Sequence, residues 1–170
     1  MATKLSRIPT KSPNSSSGML PWLGLSFVVI LLDQISKITI TKLFHEDETS
    51  HITSFFDLVL VYNKGASFSF LANASGWQRY FFIALAAVVA IVILQQLKRN
   101  AGKALFCWSL ALILGGLIGN VIDRIVHGQV VDFLSFHWGS ARFPAFNVAD
   151  GAITLGVILF IIDELRRVNK

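Results

Sequence analysis

Four apolar runs dominate this chain, at about Pro21–Phe44, Tyr80–Leu97, Leu105–Ile122 and Val148–Leu165. Each is near the roughly 20 residues that a helix needs to cross a bilayer. Lipid offers the backbone no hydrogen-bond partner, so a segment placed there must satisfy its own N–H and C=O groups as a helix. Of 170 residues 54% are hydrophobic and 15% charged, which excludes an ordinary soluble domain. The expectation is an all-α integral membrane protein, a bundle of four transmembrane helices over residues 21–170. Residues 1–20, rich in Ser, Pro, Thr and Lys without periodicity, read as a disordered cytoplasmic tail. Asp33 and Lys37 inside the first run, and the lack of a small-x-small cleavage site, favour a retained helix over a cleaved secretory signal.

The net charge of +5 gathers in clusters rather than along a stripe, so no nucleic-acid partner is expected. Lys4, Arg7 and Lys11 precede the first run, Lys98, Arg99 and Lys103 join the second to the third, and Arg166, Arg167 and Lys170 follow the fourth. By the positive-inside rule these regions, and so both termini, are cytoplasmic. The connections at about 45–79 and 123–147 then face outward. Asp57–Tyr62 is rich in β-formers, and Gly65 with the Phe68/Phe70 alternation suggests a returning strand. Val130–Trp138 is also extended in character, and Trp138 and Phe143 suit the headgroup zone. A small sheet on the outer surface is therefore expected.

Because the third helix ends and the fourth begins on that outer side, Asp123, Asp132 and Asp150 meet near one membrane face. A lone carboxylate in apolar surroundings is costly to keep ionised, whereas two together can share one proton. Asp132 interrupts the apolar strand Val130-Val131-Asp132-Phe133-Leu134 with no turn to serve. Asp150, in the first turn of the fourth helix and three residues after a natural N-cap, Asn147, is open to a second reading as a cap and dipole partner. Asp123 and Arg124 are adjacent and open to reading as an interfacial charge pair. Asp33 and Lys37, four apart, can pair on one helical face. Gly115 and Gly119 permit close helix approach. Cys107 reads as packing. The four histidines show no His-Glu-x-x-His spacing, and neither a metal nor an organic cofactor is expected.

Five motifs in order complete the pattern: Asp33 to Lys37, Asn63-Lys64-Gly65-Ala66-Ser67-Phe68, Gly119-Asn120-Val121-Ile122-Asp123-Arg124, Val130-Val131-Asp132 and Phe146-Asn147-Val148-Ala149-Asp150. With them the chain closely resembles the bacterial lipoprotein signal peptidases (signal peptidase II), from about Pro21 to the end of the fourth helix. The resemblance implies a membrane aspartic endopeptidase of four transmembrane helices with a small extracytoplasmic β-cradle. Its substrates would be diacylglyceryl-modified prolipoproteins, cut just before the lipidated cysteine. By the same resemblance Asp132 and Asp150 are the catalytic pair, and Asn63, Asn120, Arg124 and Asn147 line the pocket. Asp33 and Lys37 support it, and Asp123 is expected to hold Arg124 and the end of the third helix. Gly151 departs from the small hydroxyl residue or alanine often found in relatives. The implied setting is a multi-pass monomer of the bacterial inner membrane with its site near the periplasmic face. The rival reading is a small proton-coupled transporter, in which membrane carboxylates relay protons.

Overall fold

The computed structural model describes residues 18–65 and 76–169. Helices α1 (Leu20–Leu43), α2 (Trp77–Asn100), α3 (Ala104–Val126) and α4 (Val148–Val168) follow the four apolar runs. The strands are β1 (Thr49–His51), β2 (Phe56–Asn63), β3 (Val130–Trp138) and β4 (Ala141–Arg142). They form one antiparallel sheet in the order β1-β2-β3-β4. The tail up to residue 17 and the return strand expected at Phe68/Phe70 lie outside the described residues. The sheet at 130–138 is present, and β2 pairs with β1 on one side and β3 on the other.

Among the described residues, α1, α2 and α3 are long and apolar enough to cross a membrane. The fourth helix departs from the expected four equivalent spans. It has 21 residues, but Asp150 in its first turn and Asp163-Glu164 near its end confine the uncharged stretch to Gly151–Ile162.

At the centre lies α3, which packs against each of α1, α2 and α4. Glycines make this possible. A methyl group on Gly115 would sit 2.7 Å from Val29 Cβ on α1, and one on Gly119 would sit 2.5 Å from Asp33 Oδ2. Gly116 faces the backbone of Ala149 on α4, and a methyl on Gly156 of α4 would lie 2.7 Å from Ser109 O. The small-residue face expected to pack does so against two helices at once.

Two apolar clusters hold opposite ends of the molecule. Ile93, Leu97, Phe106, Cys107, Leu110 and Leu114 join α2 to α3. At that end Trp22 Nε1 donates to Ala101 O at 3.1 Å, tying the start of α1 to the turn between α2 and α3. At the other end Ile40 on α1 meets Leu60, Val131 and Phe133 of the sheet. Alternation along β3 turns Val131 and Phe133 to this cluster and Val130 and Asp132 to the opposite face. Phe27, Leu31, Leu32 and Ile35 on α1, with Val88, Ile91 and Val92 on α2, stay exposed, as an outer surface in contact with lipid requires.

Candidate active site

Three helix ends and the sheet converge on the candidate residues. Asp132 on β3 is only 2% exposed, yet each of its oxygens accepts an amide hydrogen: Asn63 Nδ2 donates to Oδ2 at 3.1 Å and Asn147 Nδ2 to Oδ1 at 2.7 Å. Asn63 is aimed by a local turn, because its Oδ1 accepts from Gly65 N at 3.0 Å. Asp150 Oδ1 accepts from Asn120 Nδ2 at 2.8 Å. Its other oxygen accepts from Asn147 N at 3.3 Å, while Asp150 N donates to Asn147 Oδ1 at 2.9 Å. This is a capping box, so the cap reading of Asp150 holds, and the same residue faces the cavity described below.

Burial foremost, and then the negative charge of Asp150, push the Asp132 carboxyl from its ordinary value of 3.8 up to about 7. The amides of Asn63 and Asn147 and the charge of Lys37 oppose that rise. A carboxyl so placed keeps its proton near neutrality, as acid–base chemistry between two carboxylates requires.

Behind the pair lies a buried ionic network. Lys37 Nζ is 2.9 Å from Asp33 Oδ2 and 2.8 Å from Asp123 Oδ2, and it donates to Asn120 Oδ1 at 3.0 Å. Asp33 Oδ1 accepts from Ala149 N at 2.9 Å, taking one of the free N–H groups at the start of α4. Asp123 Oδ2 accepts from Val131 N at 3.1 Å, beside Asp132. The two acids thus fasten the two elements that carry Asp150 and Asp132.

Asp123 does not meet Arg124 as expected. One residue along a helix turns a side chain by about 100°, so neighbours face apart, and the carboxylate of Asp123 goes to Lys37, Val131 N and Gln34. Arg124 instead donates to Asn120 O at 3.3 Å and Gly65 O at 3.1 Å, and its guanidinium lies 4.9 Å from the Phe82 ring centroid. Gln34 was not singled out from the sequence. Its Nε2 donates to Asp123 Oδ1 at 3.0 Å, Asp33 Oδ2 at 3.1 Å and Gly119 O at 3.2 Å. A polar amide inside an apolar span is the signal that could have found it.

Asp132 and Asp150 open on a cavity of about 1610 Å³ bounded by β2, β3, α2, α3 and α4. Asn63, Asn120 and Arg124 line its polar end, and Leu85, Val89, Leu117, Ile153 and Ile158 its apolar walls. The cavity thus joins apolar walls to a polar end that holds both carboxyls.

Residues 25–166 match the family described as signal peptidase (SPase) II. The chain belongs to the signal peptidase II family. It is 63% identical over 157 residues to the lipoprotein signal peptidase of Janthinobacterium sp. (strain Marseille), covering 92% of this chain and 95% of that one. It is 52% identical over 169 residues to that of Paraburkholderia phytofirmans, covering 99% and 98% of the two chains. Two solved structures of bacterial membrane enzymes share the fold. One has a TM-score of 0.78 at 28% identity, covering 86% of this chain and 88% of that one. The other has a TM-score of 0.77 at 26% identity, covering 85% and 92%. This signal peptidase is therefore an aspartic peptidase of the bacterial inner membrane, and the transporter reading is set aside.

Proposed function

We propose that the chain releases signal peptides from diacylglyceryl-modified prolipoproteins by cutting just before the lipidated cysteine, with Asp132 and Asp150 as its catalytic pair. The observation that carries the assignment is that these two buried or half-buried carboxyls, from a strand and a helix start, share Asn147 and face one apolar groove.

At neutral pH the pair holds one proton. The protonated carboxyl donates to the scissile carbonyl oxygen while the ionised one takes a proton from water, whose oxygen attacks the carbonyl carbon. Collapse of the tetrahedral intermediate breaks the C–N bond, and a carboxyl returns a proton to the leaving amine. Water and two carboxyls balance the hydrolysis. Asn63, Asn120 and Asn147 fix the carboxylate planes, and Arg124 orients the substrate backbone at the mouth. Asp33, Lys37 and Asp123 hold β3 and α4 in register. The apolar walls take the signal helix and the acyl chains.

In this reading residues 21–170 form one peptidase unit, residues 1–20 are a dispensable cytoplasmic tail, and the chain works as a monomer, a reading supported by both carboxyls and the amides that orient them coming from one chain. All four helices span, with both termini cytoplasmic and the catalytic end at the periplasmic face. The basic clusters support this orientation, as does the bond of Trp22 to Ala101 at the end opposite the sheet.

The test is cleavage of a diacylglyceryl-modified prolipoprotein by purified protein. Asp132→Asn and Asp150→Asn are each expected to lower turnover by roughly 10²- to 10⁴-fold, the contribution of positioned acid–base groups. Near wild-type cleavage by either variant removes that residue from the mechanism.

A further inference from the structure

The far end of the sheet gathers a second polar cluster that the peptidase site does not use. In the strand register His51 stands opposite Asp57, and Asp57 stands opposite Ser135. Since side chains alternate along a strand, His137, two residues beyond Ser135, emerges on the same face. His51 Nδ1 lies 2.7 Å from Asp57 Oδ1, and His137 Nε2 lies 3.3 Å from that same oxygen. One ligand-type atom from each of the three residues falls within 4.8 Å of the others.

Two features distinguish the cluster from a simple surface ion pair. Asp57 is fully buried, and Arg142 on β4 donates to its Oδ2 at 3.0 Å, which fixes the carboxylate plane and leaves Oδ1 to the two rings. His137 Nε2 is buried and makes no hydrogen bond among the described residues, so a ring nitrogen is directed at the shared oxygen without being satisfied by it. A buried polar atom of this kind calls for a partner.

We propose that His51, Asp57 and His137 bind a divalent transition-metal ion of the zinc class. Two imidazole nitrogens and a carboxylate oxygen are a donor set that suits zinc. Tetrahedral bonds of about 2.0–2.1 Å place ligand atoms roughly 3.3 Å apart, the His137–Asp57 spacing of 3.3 Å. The exposed His51 ring would give up its 2.7 Å hydrogen bond to Asp57 and swing outward by about 0.6 Å to admit the ion. The His51 side chain is 69% exposed, which gives the ion a route in from water and leaves the fourth position to a water molecule. The Arg142 guanidinium repels a cation, but its side chain is 55% exposed and engages the far oxygen, so the repulsion is screened. A bound ion would join β1, β2 and β3. The ion lies away from the peptidase chemistry, because Ser135 is three residues, about 10 Å of strand, from Asp132.

Full-length protein, free of a histidine tag, purified in detergent and treated with chelator, is titrated with ZnCl₂ by calorimetry and then with Co²⁺ by absorption. One zinc per chain, a rise in Tm on binding and tetrahedral d–d bands with cobalt are expected. His51→Gln and His137→Gln should each weaken binding by at least about tenfold. His45→Gln and His127→Gln, at the two exposed histidines outside the cluster, should bind as wild type. Should His137→Gln fail to fold, His51→Gln alone decides, because its ring lies mostly in solvent. Absence of zinc binding by the wild-type protein, or equal binding by wild type and His51→Gln, overturns the site.

Discussion

Asn147 and Asp150 cap each other: the Asn147 side chain accepts from Asp150 N at 2.9 Å, and the Asp150 carboxylate accepts from Asn147 N at 3.3 Å. The device that starts α4 therefore also orients a candidate catalytic carboxyl. Asn147 has a second duty, donating to Asp132 at 2.7 Å. The two duties separate by substitution. Asn147→Ser keeps an N-cap oxygen but loses the amide donor, which also serves Val131 O and Asn120 Oδ1 at 3.2 Å each, so Tm should fall less than in Asn147→Ala while kcat falls about 10- to 100-fold, the worth of a hydrogen bond to a charged group. Asn147→Ala should lose the same activity and also about 1 kcal/mol of stability. Equal kcat for Asn147→Ser and wild type would show that the bond to Asp132 is not used in turnover.

Lys37 sits between Asp33 and Asp123 with 3% of its side chain exposed. Replacing it by Met leaves two buried carboxylates without their cation, a loss on the order of 3–5 kcal/mol. Asp123→Asn leaves Lys37 one acid and retains an oxygen able to accept from Val131 N. Folded yield in detergent should therefore drop far more for Lys37→Met than for Asp123→Asn. Asp123→Asn should lower cleavage far less than the roughly 10²- to 10⁴-fold expected for Asp132→Asn. A well-folded, fully inactive Asp123→Asn protein beside an active Asp132→Asn would reverse the assignment of the pair.

What the sequence disclosed and what it hid divide along physical lines. Helix positions follow from apolar runs whose length the bilayer dictates, and β3 from its β-formers, so these elements and the Asn147–Asp150 cap were legible locally. The partners of Asp123 were not. They depend on how far α3 approaches α1, which Gly115 and Gly119 set, and on the rotation that separates Asp123 from Arg124 along the helix. Gln34 escaped because its neighbour Asp33 is the more conspicuous charge. The His51, Asp57 and His137 cluster arises from strand pairing between segments far apart in the chain, and residue spacing carries no trace of it.

Asp132 makes stability fall as pH rises. Its folded value of about 7 exceeds its ordinary 3.8, so between these limits the unfolded chain has released a proton that the folded chain retains. The contribution of Asp132 to stability is highest below about pH 4, declines towards pH 7 and is level above it, by at most a few kcal/mol at about 1.4 kcal/mol per pH unit. Asp132→Asn removes this contribution, so its Tm relative to wild type should climb across the same window and then level. Cleavage by wild type should weaken on the alkaline side as the pair loses its shared proton. A Tm difference that does not vary with pH would contradict the raised value.

Two glycines near the site should respond oppositely to alanine. At Gly119 a methyl would lie 2.5 Å from Asp33 Oδ2, a carboxylate pinned by Lys37 and Ala149 N, so Gly119→Ala should displace α1 from α3 and lower Tm by several degrees. At Gly151 a methyl meets nothing within 4 Å. Gly151→Ala should raise stability by up to about 1 kcal/mol through helix propensity, with cleavage retained. A destabilised Gly151→Ala protein would contradict the open space around this position.

The proposed orientation is read directly by labelling. Lys64 is exposed beside Asn63 at the catalytic end, and Arg99 is exposed near the opposite end of α2. After Cys107→Ser, which keeps a hydroxyl able to donate to Asn100 O as the thiol does at 3.0 Å, single cysteines are introduced as Lys64→Cys and Arg99→Cys. A membrane-impermeant maleimide applied to intact inner-membrane-exposed cells should modify Lys64→Cys and spare Arg99→Cys until the membrane is broken. Both positions lie in water on either topology, so a failure to label reports sidedness rather than burial. The reverse pattern would place the two carboxyls on the cytoplasmic side, away from substrates that emerge on the periplasmic face, and would overturn the orientation together with the role assigned to the basic clusters.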